Sequence, residues 1–290
     1  MSLTQHAPDA MKEAGRRGIR FVGERTSRIR LLPDFLLVGT QRGGTTSLHR
    51  ALAGHPAIVT PVRHKGVHYF DVSYDRGMQW YQGHFPVARL ARARTGHADP
   101  RAFESSGYYM HHPLAPERIA TDLPGVRLLV VLRDPVERAY SAHRHEYVRG
   151  FETEESFERA LELEPQRLAG EVERLLTDPS YQSVAHRHHS YLDRSYYAPQ
   201  IRRLFELFGR ERVHVLDSEA FFDRPEEQFD RVLDFLQVPR WHPPAFERHN
   251  ARPRSPMSPA TRERLERHFE PHDAELSALL GRPLAWRGRR

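Results

Sequence analysis

From Asp34 onward, short apolar runs alternate with longer segments in which apolar positions recur every third or fourth residue. FLLVG (35–39), RLLVVL (127–132) and RVHVL (212–216) are short and nearly all apolar, as strands buried on both faces are. The segment after the first run, TTSLHRALAGHP, predicts a helix closed by Gly54 and Pro56. DPVERAYSAHRHEY follows the second, with Asp134 as N-cap and Pro135 at the first helical position. SYYAPQIRRLFELFG and RPEEQFDRVLDFLQV predict helices on either side of the third run. Strands separated by helices imply an α/β fold: one domain, residues 34–290, with a mainly parallel central sheet flanked by helices on both faces. Residues 1–33 lack the pattern and read as a basic N-terminal arm ending at Pro33. The charged, histidine-rich segment 152–190 reads as a helical excursion over a cleft.

Composition narrows the class. The apolar fraction is 39%, no apolar run approaches the ~18 residues of a membrane span, and the N-terminus has no apolar secretory core. With no cysteine there is neither a disulfide framework nor a thiolate metal site. The expectation is a soluble, cytoplasmic protein. A net charge of +6 raises nucleic acid as a partner, but basic and acidic residues are interleaved, as in RERLERHFE. A compact anionic ligand in one cleft suits this balance, and no nucleic acid is expected. Lys12 and Lys65 are the only lysines, so arginine carries nearly all the positive charge and Lys65 stands out.

The first strand runs into GTQRGGTTSL, residues 39–48. Gly39 and Gly44 have the spacing of the G-x-x-x-x-G-K-[ST] phosphate loop, but Thr45 stands at the lysine position and Arg42 is the cation inside the loop. A strand, a glycine-containing turn and a helix make an anion site because the first helical N–H groups lack partners within the helix. Gly43 and Gly44 let backbone approach the anion, while Thr45, Thr46 and Ser47 add hydroxyl donors. The second strand ends in Arg133, where a magnesium-dependent nucleotidase would carry an aspartate, and Ser141 lies two helical turns further on. Arginine suits capture of a second phosphate. Two such sites imply a ligand with two anionic groups, bound without a metal.

These residues resemble the sulfotransferases that use 3′-phosphoadenosine 5′-phosphosulfate (PAPS). GTQRGGTTSL is similar to their 5′-phosphosulfate loop and RDPVERAYS to their 3′-phosphate motif. GVHYFD, GMQWYQGHFP, FESSGYYMHHPLAPERI and the segment ARPRSPMSPATRERLERHFEPHDAELSALLGRPLAW resemble the heparan sulfate 3-O-sulfotransferase branch, over residues 34–286 in all. The resemblance implies a P-loop-like fold, PAPS as co-substrate, no metal, and sulfuryl transfer to a hydroxyl or amine of a saccharide, lipid or secondary metabolite. It places Gln41, Arg42, Gly43, Gly44, Thr45, Thr46 and Ser47 around the 5′-phosphosulfate, Arg133 and Ser141 at the 3′-phosphate, and Arg252 in a final contact loop.

Two departures bear on chemistry. The family's loop cation is usually lysine; here it is Arg42, which acts by charge rather than as a proton donor. The 3-O-sulfotransferase branch carries a glutamate, proposed as base, where this chain has Gly66. His68 in the same segment and Glu104 before SSGYY are the candidate bases, and His68 reads equally well as a packing histidine. Lys65 is either a solvated lysine or a contact to the sulfuryl oxygens. The histidines of HRHH (186–189) and HRHEY (143–147) read as surface or cleft residues, with metal binding second. Tyr69, Trp80, Tyr81, Tyr108 and Tyr109 are candidate pocket or core aromatics, and favour an acceptor with an apolar face. A nucleotide kinase of similar fold and a basic binding protein without catalysis are the rival functions.

Overall fold

A computed structural model describes residues 21–62, 64–247 and 256–288. Five parallel strands form the sheet: β1 Phe35–Gly39, β2 Ile58–Val59, β3 Arg101–Glu104, β4 Arg127–Leu132 and β5 Val213–Asp217. Their order is β2-β3-β1-β4-β5. The three strands expected from apolar runs are present, the last shifted by one residue. β2 is only two residues long, too short to leave a pattern.

Both faces of the sheet are covered, which is why the strands read as continuous apolar runs. Leu36 and Val38 of β1 pack with Leu128 and Val130 of β4 in one core, with Ile201, Leu204 and Leu276. The alternate residues, Phe35, Leu37, Leu129 and Val131, face the other core with Leu48, Leu52, Phe229 and Leu233. Period-two alternation therefore splits each strand between two apolar layers.

The helices that shape the site are α1 Thr45–Gly54, α2 Tyr69–Val72, α3 Pro135–Val148, α4 Phe157–Leu168, α5 Val184–His188, α6 Tyr197–Phe208 and α7 Pro259–Leu280. Asp134 caps α3 by accepting from Val136 N and Glu137 N. A third apolar cluster joins Val136 and Tyr140 of α3 to Phe157 and Leu161 of α4, Tyr191, and Phe269 of α7, so the excursion is anchored on α3. Residues 21–33 lie against the domain: Arg30 donates to Phe85 O at 2.6 Å and Leu31 packs on the first core. No helix among the described residues is long and apolar enough to cross a membrane.

From β1 the chain moves to β2 and β3 on one side, and β4 and β5 lie on the other. The loops leaving the carboxyl ends of β1 and β4 thus diverge, opening a crevice at the switch point where such sheets bind ligands.

Candidate active site

The crevice is a cavity of about 460 Å³. Among the described residues its lining includes Gln41, Arg42, Gly44, Thr45 and Thr46 from the β1–α1 loop, Lys65 and His68, Arg133 after β4, and Ser218, Glu219 and Phe222 after β5. Six cationic side chains line it (Arg42, Lys65, Arg133, Arg149, Arg187, Arg194), against one carboxylate, Glu219.

The loop turns through two left-handed residues, Arg42 (φ 69°) and Gly44 (φ 100°), the second serving as N-cap of α1. Gly43 has a different task from the one its sequence context suggests. A Cβ there would lie 2.5 Å from Val131 O, and its N–H donates to Thr40 O at 3.0 Å. It seats the loop on β4 and does not line the cavity. Ser47 is likewise buried away from the lining. The N-terminus of α1 opens on the cavity through Gly44, Thr45 and Thr46.

Hydroxyl and carbonyl oxygens position the loop cations, with one carboxylate, Glu137, beside Arg133. Arg42 Nε donates to Ser141 Oγ at 3.0 Å, so Ser141 stands behind the loop cation. Arg133 Nη1 donates to Arg42 O at 3.4 Å, and Arg133 Nη2 meets Glu137 Oε2 at 3.3 Å. Lys65 Nζ donates to Thr45 Oγ1 at 3.4 Å and Thr46 Oγ1 at 3.2 Å. The ammonium absent from the loop sequence is thus supplied through space from residue 65. Burial, helped by the Arg50 charge, pulls Lys65 down to about 8. The lysine-poor composition was the signal that pointed to it. Arg252 lies outside the described residues.

His68 faces the loop across the cavity in a left-handed conformation (φ 56°, ψ 40°) that costs a non-glycine residue about 1 kcal/mol or more. Its backbone N–H donates to Ser106 Oγ at 3.1 Å. Nδ1 lies 2.7 Å from Asp71 Oδ2, and the Asp71 side chain is fully buried. A carboxylate accepts, so Nδ1 carries the proton and Nε2 is the basic nitrogen. Burial pulls the imidazole down, but the Asp71 hydrogen bond and the Asp71 and Glu104 charges outweigh burial and Arg187, and the pKa is raised. Sequence reading missed Asp71.

Glu104 is fully buried and does not line the cavity. Its carboxylate accepts from Val67 N, Ser106 Oγ and Tyr109 Oη at 2.7 Å each, and from Tyr81 Oη at 3.2 Å. Burial raises its pKa against these donors. The arrangement makes it the post on which segment 65–69 hangs, not a group that reaches a substrate. Gly66 runs against the same segment: a Cβ there would lie 2.4 Å from Ser105 O.

Of the candidate aromatics only Tyr108 lines the cavity; Tyr69, Tyr81 and Tyr109 are buried in the first core and Trp80 packs on it. The aromatic-rich segments thus give one ring to the described lining, beside Phe222, and their other rings fill the space beneath α2. The histidines divide. His145 and His188 line the cavity, while His186 is buried with Nδ1 2.6 Å from Tyr108 Oη. His111, His186 and Asp193 bring three ligand atoms within 4.8 Å of one another. The charges of Arg194 and Arg138 act on His111, a field that opposes a cation.

Over residues 32–247 the chain matches the family described as "Sulfotransferase domain". It is 26% identical over 289 residues to the Mus musculus bifunctional heparan sulfate N-deacetylase/N-sulfotransferase 4, covering 87% of this chain and 31% of that protein. It is 23% identical over 286 residues to the Homo sapiens heparan sulfate glucosamine 3-O-sulfotransferase 5, covering 89% and 75%. The chain spans about a third of the length of the bifunctional relatives. The crystal structure of a sulfotransferase from Alicyclobacillus acidocaldarius superposes with a TM-score of 0.64 at 31% identity, covering 89% of this chain and 99% of that one.

Proposed function

The chain belongs to the sulfotransferase family, and from that premise we propose that it moves a sulfuryl group from PAPS to an acceptor hydroxyl or amine, with His68 as general base. The observation that carries this reading is that a histidine with a free Nε2 and a loop lined by cations share one cavity.

Arg42, Gly44, Thr45, Thr46 and Lys65 hold the 5′-phosphosulfate, and Arg133 the 3′-phosphate, with Ser141 bracing Arg42. PAPS supplies an activated sulfuryl group. His68 Nε2 takes the proton of the acceptor O–H (or N–H) as its oxygen or nitrogen bonds to sulfur. The sulfur–oxygen bond to the 5′-phosphate breaks on the opposite side, leaving 3′,5′-diphosphoadenosine. Charge grows on that phosphate oxygen in the transition state, where Arg42 and Lys65 stabilise it. Asp71 keeps Nδ1 protonated and shares the charge that His68 acquires, as an orienting carboxylate does in other histidine bases. Glu104 is assigned to structure. The cytoplasmic expectation belongs to the same proposal and is tested by fractionation.

The test is thermal denaturation with 3′,5′-diphosphoadenosine in the absence of magnesium, paired with a radiolabelled transfer assay. At ~100 times its dissociation constant the diphosphate adds about 2.7 kcal/mol. Stabilisation by ATP with magnesium but not by the diphosphate would make the protein a kinase instead.

A further inference from the structure

We propose that the face built by residues 21–32 and 82–94, together with Val62 beyond β2, docks the protein on an anionic lipid surface. Its arginines meet the headgroups and its protruding apolar side chains enter the boundary between headgroups and acyl chains. The face lies outside the cavity and is independent of the chemistry there.

The two segments lie against each other. Arg30 forms an antiparallel bridge with Val87, Leu31 N donates to Pro86 O at 3.1 Å, and Gln82 Nε2 donates to Arg30 O at 2.9 Å. Gly23 sits so close to Gly83 that a Cβ on it would lie 2.7 Å from Gly83 O. Val62, three residues past β2, joins them by donating from its N–H to His84 O at 3.0 Å. Phe21, Val22, Ile29, Val62 and Leu90 are each more than half exposed. Around them the two segments carry six arginines (Arg25, Arg28, Arg30, Arg89, Arg92 and Arg94) and one carboxylate, Glu24. The side chains of Arg28, Arg89 and Arg94 make neither hydrogen bond nor ion pair among the described residues, and Arg25 lies over the Phe21 ring at 4.6 Å.

Neighbouring charge decides what these side chains face. The excursion 152–190 also exposes apolar side chains, Val172, Leu176 and Val184, but it carries nine carboxylates against four arginines. An anionic surface repels that region and attracts the face with six arginines and one carboxylate. Each arginine held near such a surface raises partitioning roughly fivefold. Large apolar side chains that protrude beside arginines match the interface of a bilayer, where each finds its own medium. A peptide partner is anchored by pockets instead, and these residues stand out singly from the surface. Val62 comes three residues before Lys65 and six before His68, which puts the face beside the segment that lines the cavity.

The experiment sediments the full chain with vesicles of phosphatidylcholine alone and of phosphatidylcholine mixed with phosphatidylglycerol. Binding to the mixed vesicles should exceed binding to the neutral ones by at least about tenfold and fall in high salt. Arg28→Glu combined with Arg89→Glu should abolish that preference. Ile29→Ser combined with Leu90→Ser should weaken mixed-vesicle binding about tenfold. Both pairs alter exposed side chains, and an unchanged thermal midpoint shows that the fold is intact. Equal binding to the two kinds of vesicle, binding to neither, or mixed-vesicle binding that survives either pair of substitutions overturns the proposal. Two further results overturn the lipid assignment. Polyglutamate bound as tightly as the mixed vesicles, and lost with the arginine pair, gives the face to an acidic protein. A dimer in solution broken by the Ile29 and Leu90 substitutions gives it to a second copy of the chain.

Discussion

At the loop end of the cavity each cation has neighbours that fix it: Arg42 on Ser141, Lys65 on Thr45 and Thr46, Arg133 on a backbone carbonyl and the Glu137 carboxylate. At the α5 end Arg187 is held by nothing among the described residues, and Arg194 is held by carbonyl and amide oxygens while its Nε goes unpartnered. The first end is preorganised for one ligand and draws most of its parts from two contiguous motifs. The second is assembled from separate segments and leaves charge unspent. The two ends therefore differ in how their cations are held, and different stretches of chain carry them.

Removing the group between the two ends tests that separation hardest. His68→Ala should lower turnover by ~10²- to 10⁴-fold, with diphosphoadenosine affinity nearly intact by calorimetry. A matching fall in donor affinity would mean the ends are one unit. Next in size, Arg133→Ala should weaken diphosphoadenosine binding by roughly 10- to 100-fold, since a charge-assisted contact is worth about 1.5–3 kcal/mol. Arg42→Ala should depress turnover more than donor affinity, and equal losses in both would remove its transition-state role.

Asp71→Asn gives a smaller but more specific effect. The base works as the neutral imidazole, and Asp71 raises its pKa in the face of burial and Arg187, so activity falls on the acid side below that raised value. Without the carboxylate the acid limb of the kcat/KM profile should move to lower pH while the plateau drops. A drop with an unmoved limb would reduce Asp71 to packing. Lys65 sets the mildest dependence. Its ammonium titrates at about 8, so donor affinity should decline as pH rises through that value, and Lys65→Ala should flatten the decline. Glu104→Gln should hardly change the pH profile. It should cost about 1–3 kcal/mol of stability by denaturant titration, because an amide nitrogen then faces groups that donate.

The fold was legible wherever burial on both faces wrote apolar runs into the sequence, as in FLLVG and RLLVVL, and wherever a cap did, as at Asp134. Loop residues Gln41 to Thr46 were legible for the same local reason, although Gly43 proved to serve packing against Val131 O. Asp71 and Arg194 were not. One works because α2 is a single turn that folds an aspartate under a left-handed histidine, the other because the excursion closes over Gln41, 153 residues away. Neither arrangement leaves a spacing to read. The aromatic-rich segments did not show which ring lines the cavity, because density of rings along the chain does not distinguish a lining from the core beneath it.

Gly66 bears on the protein's history. Where its codon ends in a purine, one nucleotide change writes the glutamate that the resemblance implies. The Ser105 carbonyl, 2.4 Å from where a Cβ would stand, closes that route until the backbone beside Glu104 first moves. A side chain at position 66 therefore needs a second change that moves this backbone, so no single substitution installs the glutamate.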